Sequence, residues 1–274
     1  MSNLGMISDE QVEILINDVL EQHGYDFTGY SRASLKRRLS RLYSLHKHVS
    51  FAEFRYRTLN DEVYFKHFVE GVTVNVTEMF RDPSFYRLLR EKILPSLNTY
   101  PFIRIWLAGC STGEEAYSVA IMLKELNLLH KSLIYATDIN PTVLEKAGNG
   151  MFPLSQMKNY SENYIASGGT KDFSSYYAAS YSLAKFDTEL KAKMIFSTHN
   201  LVSDRSFNEF QLILCRNVLI YFDRPLQFRV LQLFDQSLEN LGYLALGTKE
   251  TIDFSPISKS YKRVETDKVW RKIG

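Results

Sequence analysis

The sequence predicts an α/β protein, a doubly wound and mostly parallel sheet preceded by a small all-helical domain. Three stretches point there. Residues 103–118 (IRIWLAGCSTGEEAYS) read as a buried strand, a tight turn between Gly109 and Gly113, and a helix opening on Glu114 and Glu115. Residues 132–136 (SLIYA) read as a second strand, leading to an acid, Asp138, about twenty residues past the glycine turn. Residues 210–215 (FQLILC) form the near-continuous apolar run that a central parallel strand needs. In such a sheet a ligand sits beyond the carboxyl ends of the strands.

The 274 residues carry a formal net charge of +2, with 45% hydrophobic and 14% aromatic residues. That composition suits one large or two modest domains with a real core and excludes disorder. The charge is too small to imply nucleic acid by itself. With no signal peptide and no bilayer-length apolar run, a soluble, cytoplasmic protein is expected, with no membrane insertion. Cys110 and Cys215 match neither a metal nor a disulfide spacing, so both read as small buried thiols and no metal is expected.

The chain opens on a helix announced by Ser8 and Gln11, with Val12, Leu15, Ile16 and Val19 on one face and Gly24 as its stop. The next helix, residues 31–47, has a narrow seam of Leu35, Leu39 and Leu42 and a crowd of cations, Arg32, Lys36, Arg37, Arg38 and Arg41. No acid lies between Asp26 and Glu53 to neutralise them. They read as a dock for an acidic partner, with a plain solvated face as the alternative. Nucleic acid is the weaker alternative, because the aromatic interleaving expected for stacking on bases is thin here, and no nucleic-acid partner is expected. Helices at 51–58 and 61–71 complete the helical domain, residues 1–72.

Residues 73–82 (TVNVTEMFRD) read as an extended linker, and Asp82-Pro83 as the start of a helix. Asn140 and Pro141 begin another helix after Asp138. Residues 157–193 break the α/β rhythm: Gly168-Gly169 followed by Phe173, Tyr176, Tyr177 and Tyr181 suggests an inserted β-rich subdomain. The rhythm resumes at 194–197, ending in His199-Asn200, then at 210–215, ending in Arg216-Asn217. A helix follows Asp223-Arg224-Pro225, then a strand at 242–247, then an antiparallel pair at 261–264 and 269–273.

The ligand follows from charge. A dinucleotide site wants three glycines closing on a diphosphate at a helix N-terminus. Here two glycines are available, and Glu114 and Glu115 stand where the diphosphate would be. S-adenosylmethionine, a sulfonium and an ammonium without phosphate, fits that pattern. The structural alternative is a capping box, Ser111 with Glu114 or Thr112 with Glu115. Asp138 is the expected partner for ribose hydroxyls.

With TVNVTEMFRD, AGCSTGEEAYS, ATDIN and CRNVLIYFD present in that order, the chain resembles the chemoreceptor methyltransferases, the CheR family, over nearly its whole length. The resemblance implies a methyltransferase domain, residues 73–274, whose sheet has a terminal antiparallel strand and carries the inserted β-subdomain. It also implies transfer of the methyl group of S-adenosylmethionine to glutamates on a chemoreceptor's cytoplasmic helices, an acidic helical bundle, with S-adenosylhomocysteine as product. By the same resemblance Asn75, Thr77, Arg81, one or both of Glu114 and Glu115, Asp138, Asn200, Leu201, Cys215 and Arg216 contact the cofactor. Arg216 is the candidate for holding the acceptor carboxylate, and Tyr221 for packing beside the transferring methyl. The stretch 167–185 departs from the glycine-containing version that grips a receptor's C-terminal peptide by adding a strand. A monomer is expected. The rival readings are a methyltransferase for another substrate, a nicotinamide oxidoreductase, and a cofactor-binding adaptor without turnover.

Overall fold

The computed structural model describes residues 7–45, 50–265 and 268–274. Four helices come first: α1 (Asp9–His23), α2 (Arg32–Leu45), α3 (Phe51–Asn60) and α4 (Glu62–Val72). The expected end of the second helix near Lys47 lies outside the described residues. At the start of α1 the Ser8 side chain accepts from the Gln11 N–H and the Gln11 side chain returns the bond, so the capping box is complete. Gly24 ends α1 in the left-handed conformation.

Past the linker, α5 (Pro83–Leu88) runs through a π-turn (Leu89–Ile93) into α6 (Leu94–Ser96). The α/β portion then follows: β1 (Ile103–Ala108), α7 (Glu114–Glu125), β2 (Ser132–Asp138) and α8 (Pro141–Asn149). The insertion holds β3 (Met151–Pro153), α9 (Met157–Ala166), β4 (Tyr177–Ser180), β5 (Leu183–Phe186) and α10 (Thr188–Lys191). The chain closes with β6 (Met194–Thr198), β7 (Phe210–Cys215), α11 (Arg224–Ser237), β8 (Leu238–Leu246), β9 (Tyr261–Arg263) and β10 (Val269–Lys272).

The main sheet has the order β6-β2-β1-β7-β8-β10-β9. From β6 to β8 every pairing is parallel, and β10 runs antiparallel between β8 and β9. This is the doubly wound, mostly parallel sheet with a terminal antiparallel strand. Chain order reverses between β1 and β7, so the crevice beyond their carboxyl ends is the ligand position such a sheet provides. β7 is buried at all six positions, as its unbroken apolar run requires.

Each face of the sheet buries its own core. On one, α5 to α7 and the insertion pack Leu107, Tyr117, Tyr164 and Phe186 together. On the other, Trp106, Phe210 and Phe234 share a core with Leu35, Phe54 and Phe68 of the N-terminal helices. Those helices are therefore bound to the sheet and not hung from it. Tyr30 bridges to Phe222, and the Ser31 N–H donates to the Tyr221 carbonyl at 2.8 Å. Among the described residues no helix is long and apolar enough to cross a membrane.

Two local expectations are corrected. The insertion is less β-rich than its aromatic content suggests, because Met157, Tyr160 and Tyr164 recur at helical spacing and α9 buries all three. Its small sheet, in the order β3-β5-β4, also recruits a strand from residues 151–153, ahead of the expected start. The capping boxes of Ser111 and Thr112 are not formed either. Gly113 caps α7 at φ 96°, and the helix start has no side-chain cap bond.

At Gly113 a Cβ would stand 2.8 Å from the Ala147 Cβ, on a backbone that L side chains rarely adopt. Gly113→Ala is therefore expected to cost about 2–4 kcal/mol, left-handed strain plus overpacking, read as a lowered urea midpoint at unchanged slope.

Candidate active site

The loop after β1 is fixed from β2. The N–H groups of Gly109 and Cys110 donate to the Thr137 carbonyl at 2.8 and 2.9 Å. Asp138, the last residue of β2, accepts from the Ser111 N–H at 2.9 Å and from the Asn140 N–H at 3.0 Å. Burial raises the Asp138 pKa above its ordinary value, against the pull of those backbone bonds. Gly109, at φ 81°, would drive a Cβ to 2.4 Å from a methyl of Val218, so the loops after β1 and β7 touch.

The loop after β7 is held by an acid the sequence reading did not single out. Glu250 accepts from the N–H groups of Gly247, Asn217 and Ile220 at 2.6, 3.0 and 3.2 Å. Burial raises its pKa, opposed by these same bonds. They fix the arc from Asn217, at φ 62°, to Tyr221.

Between these loops and the linker opens a cleft of about 1130 Å³, mouth included. It brings together Asn75, Thr77, Arg81, Glu115, Asp138, Asn200, Leu201, Arg216 and Tyr221 from the expected set. Two expected residues do not line it. Cys215 is fully buried at the end of β7, its thiol pKa pushed well up by burial, so it backs the wall. Glu114 turns away, accepting from the Thr112 hydroxyl at 2.6 Å and the Tyr160 hydroxyl at 3.4 Å. The acid that faces the cleft is Glu115.

Arg216 is 8% exposed and engaged on several sides. Its Nη1 donates to Glu115 Oε1 at 3.0 Å, and its Nη2 donates to Asp82 Oδ2 at 2.7 Å and to the Arg81 carbonyl at 3.1 Å. The guanidinium stacks over the Phe85 ring, 4.1 Å from its centroid. Burial alone would lower its pKa, but the charge of Glu115, with that of Asp82, leaves it raised. Arg216, expected to hold an acceptor carboxylate, is engaged here by Glu115 and the linker through its two Nη atoms, while its Nε has no partner among the described residues. Glu115 Oε1 also accepts from the Tyr86 hydroxyl at 3.3 Å, while Oε2 has no partner among the described residues.

The basic helix is also rearranged. Arg38 points inward, 8% exposed, donating to the Val72 carbonyl and, at 2.7 Å, to Ser34, with its guanidinium 4.7 Å from the centroid of the Tyr221 ring. It lines the cleft and is no part of an outer dock. Its position was legible: with Leu35, Leu39 and Leu42 it completes an i, i+3, i+4, i+7 stripe. Arg32 pairs with Glu13 and Lys36 with Asp9, whereas Arg37 and Arg41 are exposed without an ion pair among the described residues. Tyr30, Tyr86, His199, Asn217 and Val218 also line the cleft. His199-Asn200 and Asn217-Val218 end strands, the one signal that could have found them.

A cleft that sets carboxylates, and no three-glycine phosphate loop, against the ligand suits the cationic S-adenosylmethionine, and the protein is an S-adenosylmethionine-dependent methyltransferase. Family comparison narrows the class. Residues 75–269 match the CheR methyltransferase SAM-binding domain and residues 10–73 match the CheR methyltransferase all-alpha domain. The chain belongs to the CheR methyltransferase family. It is 42% identical, over 97% of both chains, to a relative in Pseudomonas putida that bears the name Cher3 and a provisional methyltransferase description. It is 31% identical to the chemotaxis protein methyltransferase of Listeria innocua over 84% of this chain and 85% of that one. With the chemotaxis protein methyltransferase of Salmonella typhimurium it shares 30% identity over 89% of this chain and 81% of that one.

Burial raises the Glu114 pKa above its ordinary 4.5. An acid that holds its proton more tightly when folded contributes stability that is complete below its unfolded pKa and is lost as pH rises through the folded one. Glu114→Gln should therefore flatten the decline of unfolding free energy that begins near pH 4.5, measured by urea titration at stepped pH. An unchanged slope would remove Glu114 from the account.

Proposed function

We propose that this protein transfers the methyl group of S-adenosylmethionine to glutamate side chains on the cytoplasmic helices of a chemoreceptor, leaving glutamate methyl esters and S-adenosylhomocysteine. The observation that carries the reading is one cleft lined by both Glu115 and Asp138, suited to a cationic donor, and by Arg81 and Tyr221, suited to an anionic acceptor. Family membership and the names of the Listeria and Salmonella relatives support the chemosensory assignment.

The cofactor supplies an electrophilic methyl group on a sulfonium. Asp138, fixed by two backbone donors, is the acid for ribose hydroxyls, and Glu115 Oε2 is the open acceptor for the ammonium. Asn200 and Leu201, on the loop after β6, take the adenosyl group. Asn75, Thr77 and Arg81 close the linker over it. An acceptor glutamate, with an ordinary pKa near 4.3, is already ionised at neutral pH, so the site needs no general base. Its work is alignment and exclusion of water. Burial raises the Tyr221 pKa against the opposing charges of Arg38 and Arg81, so its hydroxyl stays protonated and donates to the acceptor carboxylate.

Residues 1–72 are the receptor-docking unit and residues 73–274 the methyltransferase unit, acting as a monomer in the cytoplasm, where the acceptor helices lie. Arg37 and Arg41 are the free docking cations. Arg32 and Lys36 join them by exchanging exposed ion pairs, which are worth little, for receptor carboxylates.

The direct test is incubation with radiolabelled S-adenosylmethionine and receptor-bearing membranes, scoring methanol released by base. A base-stable label would reject the ester. Asp138→Ala should lower S-adenosylhomocysteine affinity at least tenfold by calorimetry, since a hydrogen bond to a charged group is worth about 1.5–3 kcal/mol. Arg216→Ala should lose cofactor affinity together with turnover and destabilise the fold by about 1.5–3 kcal/mol, because it leaves the half-buried Glu115 without its cation. Loss of turnover with affinity intact would return Arg216 to the acceptor side. Arg37→Glu with Arg41→Glu should raise KM for receptor several-fold and leave cofactor binding alone; unchanged receptor kinetics would make α2 a solvated face.

A further inference from the structure

The linker, residues 73–82, has no regular structure of its own, yet Asn75, Thr77, Glu78 and Arg81 all line the cleft. It also contains two non-glycine residues in the left-handed region, Phe80 at φ 52° and Asp82 at φ 61°. Such a conformation costs about 1–2 kcal/mol per residue and persists only where surrounding structure enforces it. Part of that enforcement comes from the sheet side. The Phe80 N–H donates to Ser118 of α7 at 3.0 Å, and Arg216 holds the Arg81 carbonyl and the Asp82 carboxylate.

The rest comes from the insertion. Asn159 Nδ2 donates to the Glu78 carboxylate at 2.9 Å, and Asn163 Nδ2 donates to the Met79 carbonyl at 3.1 Å. Between them Tyr160 reaches Glu114, and the end of the helix is tied down by Arg87, which donates to the Ala166 carbonyl at 2.6 Å. Asn159 and Asn163 are four residues apart and so share one face of α9. Asparagine is a poor helix former because its amide competes for backbone groups. Two on one face of a ten-residue helix weaken it unless those amides are employed. No described residue between 140 and 198 lines the cleft, so the insertion reaches the site through what it touches, this seam and the packing of Phe80 against Tyr164 and Phe173.

We propose that α9 belongs to the cofactor-binding apparatus, with Asn159 and Asn163 as positioning residues that hold the linker in its cofactor-gripping conformation. This rests on the reading that the cleft takes S-adenosylmethionine. The insertion is therefore not merely an appendage of the sheet: it sets how tightly the donor is held.

The test is calorimetric binding of S-adenosylhomocysteine to the full chain, with thermal midpoints and steady-state kinetics alongside. Asn159→Ala and Asn163→Ala should each weaken binding roughly three- to tenfold, the worth of one hydrogen bond of this kind. KM for S-adenosylmethionine should rise while KM for receptor stays constant. Asn159→Asp, which sets a second carboxylate against Glu78, should weaken binding beyond Asn159→Ala, and adding Glu78→Gln should recover part of that loss by restoring a donor to the pair. A merely structural helix would show no such charge-dependent rescue. If the unaltered protein fails to bind S-adenosylhomocysteine, the cofactor reading itself falls. If it binds and the asparagine variants bind equally well, or lose affinity only in step with their thermal midpoints and without rescue, this inference alone is overturned.

Discussion

One buried cation organises the site. Arg216 leaves the end of β7 and meets the first turn of α7 through Glu115, the linker through Asp82 and the Arg81 carbonyl, and α5 through the Phe85 ring. These partners come from two separate stretches of the chain, residues 81–85 and the start of α7, and none is in a strand. Desolvating a guanidinium is costly, and only close opposite charges with further hydrogen bonds offset it. Pairing Arg216 therefore ties these partners to one another, and two of them, Glu115 and Arg81, line the cleft.

The same logic runs outward through a second buried charge. Glu250 takes three backbone N–H groups and thereby shapes the arc that carries Val218 and Tyr221. Asp138 does likewise for the loop after β1. Four carboxylates and one guanidinium thus fix the loops at the point where strand order reverses, the place where an open parallel sheet leaves room for a ligand. Rigid strands supply the anchor points, and ionic contacts supply the precision.

How much of this could be read in advance divides along physical lines. The sheet was legible because FQLILC and, apart from Arg104, IRIWLA are the short near-continuous apolar runs that a doubly covered strand needs, each followed by turn residues. The acid ending β2 was legible from its distance to the glycine turn, and the antiparallel close from two short alternating runs. Which glutamate faces the ligand was not, since Glu114 and Glu115 differ only in a rotation about the helix axis that Thr112 and Tyr160 decide from outside. The partners of Arg216 were hidden for the same reason: a strand-end arginine in a family motif says nothing of which carboxylates will reach it. In the insertion, tyrosines at helical spacing were overruled by their strand preference, a weak guide wherever long-range packing sets the outcome.

Arg38 carries a consequence for recognition. On α2 it faces inward to Tyr221, while Arg37 and Arg41, its near neighbours on the same helix, face solvent. A single helical turn advances only about 5.4 Å, so the outer grip and the inner rim are rigidly spaced on one element. On the docking proposed above, an acidic helix resting on the outer cations would be held at a set offset from the cleft, with α2 as the gauge. Which carboxylate along that helix entered would then be decided by length along its axis, with no need to read the side chains in between.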